Sequence, residues 1–143
     1  MKDLVSLYQT AEEQNIEIIP YPLPLTGSMA LEAEGGRCFI GMDFDTLTDP
    51  RDRLVHLGHE LGHCICGAFY NRYAKMDLRI RHEHRANKWA IHHLIPEEAL
   101  DDAVAGGCTQ LWELAEHFNV TEEFIRKAVC LYTHGNLATE LYF

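Results

Sequence analysis

The run His59-Glu60-Leu61-Gly62-His63 constrains this chain more than any other stretch. A helix advances about 100° per residue, so His59 and His63 fall about 40° apart on one face and one turn apart along it, where both imidazoles can grip one ion. Glu60 lies beside them, placed to reach a water at that ion rather than the ion itself, which is the general-base position of the H-E-x-x-H pattern. Such a helix needs an apolar back, and Leu54, Leu57, Leu61, Ile65 and Ala68 supply one at the helical period. Asp49 followed by Pro50 reads as an N-cap with proline at the first helical position, predicting a helix from about Pro50 to about Ala68. Gly58 and Gly62 each cost about 1 kcal/mol relative to alanine inside a helix, so their spacing implies that another backbone comes close there.

Catalytic zinc usually takes three protein ligands and keeps a fourth position for water, so two histidines are not enough. Residues Glu83 to Pro96 read as a second helix in which Glu83, Ala86, Asn87, Ala90 and Leu94 share a face. Its two alanines would let it pack on the glycines of the first helix. Glu83, at the end of that face, is the favoured third ligand, completing a two-histidine, one-glutamate set of the thermolysin type. His82, His84 and His56 are the alternatives, His56 because it stands one turn before His59 on the same front.

HELGH, followed some twenty residues later by E-x-x-A-N-x-W-A-x-x-x-L-I-P, resembles the ImmA/IrrE family of small metallo-endopeptidases over roughly residues 39 to 98. The resemblance implies an α+β fold, a small zincin-like (minimal gluzincin) domain with a short antiparallel sheet, an active-site helix, a glutamate helix and C-terminal helices. It implies Zn2+ held by His59, His63 and Glu83, with Glu60 as catalytic base. It also implies a protein substrate of the transcriptional-repressor kind, as in bacteria and their mobile elements. Trp89 stands where the family usually has Phe, and His93 where an apolar residue is common.

A chain of 143 residues, 47% of them hydrophobic, suits one domain over 1–143 with a real core. The net charge of −10 weighs against nucleic acid as a partner, because binding there rests on neutralising phosphates, and favours a basic protein instead. With no signal segment and no apolar run of about 18 to 20 residues, the expected location is cytoplasmic, without membrane contact. Five cysteines in that compartment are expected as reduced thiols, Cys64 and Cys66 serving as small buried hydrophobes.

In chain order, residues 3–14 predict an amphipathic helix, Ile16 to Tyr21 an edge strand stopped by prolines, and Ser28 to Glu34 with Arg37 to Asp43 a hairpin turned by Gly35-Gly36, giving a small, largely antiparallel sheet. Residues 69–81 read as a connecting loop whose Tyr70 or Tyr73 could donate to an oxyanion, although packing is the commoner role. Helices follow over Glu97 to Ala105, Thr109 to Phe118 and Thr121 to about His134, so that 97–143 forms a helical subdomain resembling a helix-turn-helix. Glu122 and Glu123 open its second helix and would repel phosphates. The apolar end, Leu141 to Phe143, is expected to dock back on the body.

Two functions suit these features. One is a zinc-dependent endopeptidase that takes its substrate as an added strand on a free sheet edge near the metal. The other is a non-catalytic, zinc-stabilised module that binds protein or regulates DNA. Glu60 separates them, since a closed structural zinc site needs no base. Zinc deaminase chemistry is excluded by the lack of a P-C-x-x-C segment.

Overall fold

The computed structural model describes residues 2–70 and 73–141. In order it contains α1 (Leu4–Glu13), β1 (Glu17–Pro20), β2 (Ser28–Glu32), β3 (Cys38–Met42), α2 (Pro50–Cys66), α3 (Met76–Leu94), α4 (Glu97–Ala105), α5 (Leu111–Phe118) and α6 (Glu122–His134), with short 3-10 turns at Glu34–Gly36 and Thr139–Leu141. The architecture is α+β. Helix α2 is its axis, packed on α1, β2, β3 and α3.

The side chains of α2 explain that position. Leu54, Leu57 and Leu61 are buried along its back, and Ala68 just beyond its end is buried too. They join one continuous core running from Leu7 of α1 through Ile40 and Met42 of β3 to Ile125 of α6. The Asp49 carboxylate accepts from the Arg51 amide and Pro50 occupies the first turn, so the helix starts where cap and proline predict.

The sheet departs from expectation. Its order is β1-β3-β2, with β2 antiparallel to β3 (Ser28 opposite Met42, Glu32 opposite Cys38) but β1 parallel to β3 (Glu17 opposite Phe39). The sheet is therefore mixed, not largely antiparallel. Two reversals of direction, one through the proline-rich segment and one through the 34–36 turn, return β3 to the heading of β1, and β3 inserts between its predecessors. The connection from β2 to β3 is a 3-10 turn rather than a two-residue hairpin loop.

Two further corrections concern α3 and the cysteines. Helix α3 begins at Met76, so half of the predicted 69–81 loop is helical. The exposure of Met76, Leu78 and Ile80 shows why this was hidden: no apolar face marks that first turn and a half. Cys38 of β3 and Cys64 of α2 form a disulfide, with Cα atoms 5.9 Å apart, where five free thiols were expected. Packing α2 against β3 brings together two cysteines 26 residues apart, a proximity that a count of cysteines does not carry. Cys66, Cys108 and Cys130 are free.

In the C-terminal part, Leu114, Ala115, Phe118, Val120, Ile125 and Ala128 are all buried where α5 and α6 meet, with Asn119 left-handed between the helices. Leu137 packs on the core, while Tyr142 and Phe143 lie outside the described residues. Among the described residues, no helix is long and apolar enough to cross a membrane.

Candidate metal centre

The α2–α3 contact that builds the site depends on small residues. A Cβ at Gly62 would come 2.4 Å from the backbone oxygen of Ala86, and one at Gly58 would come 2.9 Å from Leu94 Cδ1 and 3.7 Å from the Ala90 Cβ. The close backbone approach implied by the glycine pair is thus found at Gly62; at Gly58 the neighbour is a side chain. This approach carries Glu83, one turn before Ala86, up to the histidine face of α2.

There Glu83 Oε2 lies 2.9 Å from His59 Nε2 and 3.1 Å from His63 Nε2, and the two Nε2 atoms are themselves 3.1 Å apart. The other nitrogens of the rings determine what this triangle is. His59 Nδ1 is 2.7 Å from Asn87 Oδ1 and His63 Nδ1 is 2.6 Å from the Ala68 carbonyl, both oxygens that can only accept. Each ring must therefore carry its proton on Nδ1, which leaves Nε2 as a bare lone pair in the neutral imidazole. Three acceptors then converge with no donor among them. One proton satisfies such a triangle one edge at a time, whereas a cation satisfies all three. A four-coordinate ion with bonds of about 2.0–2.1 Å holds its ligands about 3.3 Å apart, close to the spacing found. The donor set, two imidazole nitrogens and a carboxylate, fits zinc.

The local electrostatics point the same way. Burial pushes the Glu83 carboxyl up, but whenever an imidazole takes a second proton, on Nε2, it donates to Glu83, and these hydrogen bonds with His59 and His63 outweigh burial and hold the group well below the usual carboxylate range. Burial lowers His63, yet Glu83 and the Ala68 carbonyl raise it overall. A carboxylate kept anionic beside two rings is poised to face a cation. The Tyr70 hydroxyl donates to Glu83 Oε1 at 2.8 Å, so its proton is engaged at the carboxylate rather than aimed at a substrate oxygen. Tyr73 is exposed and does not line the cavity.

Glu60 stands apart from the triangle. It is buried, shares a 310 Å³ cavity with His59, His63 and Glu83, and offers a carboxylate oxygen within 4.8 Å of a ring nitrogen of each histidine, so it too could reach an ion held there, but its Oε2 accepts from the Ser28 hydroxyl at 2.7 Å. The alternative histidines are elsewhere. His56 has its Nδ1 2.7 Å from Ser28 Oγ, and burial lowers its pKa; His82 stacks on Tyr70; neither they nor His84 line the cavity. Trp89 and His93, the two departures from the family pattern, stack on each other with ring centres 4.6 Å apart.

In the sequence Asn87 reads only as a packing residue, and Ser28 as no more than the start of a strand. An asparagine four residues after the metal-facing glutamate was a usable signal for Asn87. Ser28 had none, because it lies 32 residues from Glu60 and meets it only through the sheet.

The family model described as IrrE N-terminal-like domain, a peptidase M78 model, matches residues 11–129 of the 143. No curated protein and no solved structure matches the chain.

Proposed function

The chain belongs to the IrrE N-terminal-like, M78 peptidase family, and from that premise we propose that it is a zinc-dependent endopeptidase, with His59, His63 and Glu83 holding the ion and Glu60 acting as general base. The observation that carries this reading is the convergence of three bare acceptors, two of them fixed as lone pairs by Asn87 and the Ala68 carbonyl. When bound, zinc supplies Lewis acidity, making water a usable nucleophile near neutral pH and polarising the scissile carbonyl. Glu60 takes the proton of the attacking water and returns it to the leaving amine. Asn87 and Tyr70 keep the ligands oriented.

Substrate presentation follows from the sheet order. Strand β2 is an edge strand, and its Ser28, Met29 and Ala30 line the cavity. An extended segment adding to that edge would lie across the metal with its register set by main-chain hydrogen bonds. The substrate is thus a flexible or locally unfolded stretch of protein; the chain's net charge of −10 favours a basic partner, and the resemblance to the ImmA/IrrE family implies one of the transcriptional-repressor kind.

The test is metal analysis of the purified protein together with incubation against a repressor encoded beside it, comparing wild type with Glu60→Gln and mapping cuts by mass spectrometry. Wild type should hold one zinc and cut within an extended segment, and the variant should hold zinc without cutting. A zinc-loaded wild type that cuts no better than Glu60→Gln would favour the non-catalytic module. A cut inside a stable helix, unaffected by mutations that stabilise it, would reject edge-strand presentation.

A further inference from the structure

Ser28, His56 and Glu60 form a cluster that the metal triangle does not use. Ser28 Oγ sits 2.7 Å from Glu60 Oε2 and 2.7 Å from His56 Nδ1. Ser28 is 6% exposed and Glu60 7%, so neither can exchange these contacts for bulk water without moving. The polarity of the chain follows from what each group can do. An ionised carboxylate only accepts, and a hydroxyl has one proton to give. With that proton directed to Glu60, Ser28 Oγ must accept from the ring, so His56 must carry its proton on Nδ1.

We infer that Ser28 and His56 are positioning residues for Glu60: His56 Nδ1–H donates to Ser28 Oγ, the Ser28 hydroxyl donates to Glu60 Oε2, and the general base is held from the sheet side by this two-step brace. The inference rests on the reading of Glu60 as the base. Holding Oε2 leaves Oε1 as the oxygen that receives a proton from water in the cavity, and it stops the carboxylate from swinging onto the ion as a fourth ligand. It also accounts for a third histidine on the front of α2 that lies outside the cavity. His56 serves the base through β2, whereas His59 and His63 face Glu83.

Wild type alone provides the first test. In the zinc-loaded full chain near pH 8, above the ordinary imidazole range, long-range 1H–15N correlations should show His56 protonated on Nδ1 and bare on Nε2. The reverse tautomer would overturn the proposal. In Ser28→Ala the Nδ1 preference of His56 should be lost, and an unchanged His56 spectrum would equally overturn it. The second test is kinetic, with β-casein as an unfolded probe substrate. Ser28→Ala and His56→Phe should lower kcat roughly 10- to 100-fold with KM and zinc content near wild type, as for loss of an outer partner, and Ser28→Thr, which keeps the hydroxyl, should recover most of the rate. A loss of kcat/KM carried by a raised KM alone, or no rescue by a folded Ser28→Thr, would count against positioning. Failure of the wild type to cut the probe would speak against the endopeptidase, while the tautomer still decides the brace.

Discussion

The α2–α3 seam and the α5–α6 pair are both contacts between helices, yet they are built in opposite ways. At the seam, glycine meets backbone: Gly62 lies under the Ala86 carbonyl, and the approach carries Glu83 to within 3.1 Å of both ring nitrogens. The C-terminal pair meets through full-sized side chains, Leu114, Phe118, Phe124 and Ile125, all buried, around a left-handed Asn119. A seam of small residues positions atoms closely but has no slack. A seam of large residues buries more apolar surface and can repack. The first kind suits a site in which a shift of 1 Å destroys coordination, and the second suits a part of the fold that only has to stay together.

Gly62→Ala should break that contrast most severely. Its Cβ meets backbone that cannot rotate away, so α3 must move and take Glu83 with it. The expected outcome is a stability loss on the order of 3 kcal/mol in denaturant titration together with loss of stoichiometric zinc by metal analysis. Zinc retained at wild-type affinity would show that the seam has slack after all. Asn87→Ala comes next. It leaves the seam intact but frees the His59 ring, so zinc affinity in chelator competition should fall about 10- to 100-fold with little change in unfolding.

On the other side of the comparison, Ile125→Val should cost about 1 kcal/mol of stability and leave the zinc affinity of the folded protein unchanged. A change in affinity there would tie the C-terminal pair to the site. The smallest effect is expected from Gly58→Ala. The obstructing atom is the end of a leucine side chain, and alanine recovers about 1 kcal/mol of helix propensity, so thermal unfolding should show a net change within about 1 kcal/mol of zero. A loss as large as that of Gly62→Ala would mean that both glycines face rigid neighbours.

Much of this was legible in the residues because it is local. The period of Leu54, Leu57 and Leu61, the Asp49-Pro50 cap and the facing Gly and Ala positions are each written within a few turns of chain, and so are the bounds of α4, met at Glu97 and Ala105. What was not legible depends on segments far apart. The parallel pairing of β1 with β3 reflects an inserted strand, and the bond from Cys38 to Cys64 reflects a packed helix. The start of α3 was missed for a different reason. Its first turns are exposed and carry polar contacts such as the charge pair of Asp77 with Arg81 at 3.8 Å instead of an apolar stripe. At the site, the residues that carry the proposed chemistry stood out, but their supports did not, since Ser28 and the Ala68 carbonyl have no distinguishing local pattern.

The pairing of β2 with β3 acts as a reading frame for the cleft. Successive side chains of a strand face opposite ways, so Ser28 is buried against Glu60 while Met29 is 42% exposed. A slip of one residue would present a thioether to the carboxylate in place of a hydroxyl, and every hydrogen-bonding position offered to an incoming chain along the edge would move with it. The frame is set at the head of the strand, where the Asp43 amide donates to the Gly27 carbonyl at 2.9 Å. Gly27 itself adopts φ +79° with the Leu47 side chain 2.7 Å from where a Cβ would sit. One glycine outside the cavity thereby sets the phase in which both the proposed base and the proposed substrate edge are read.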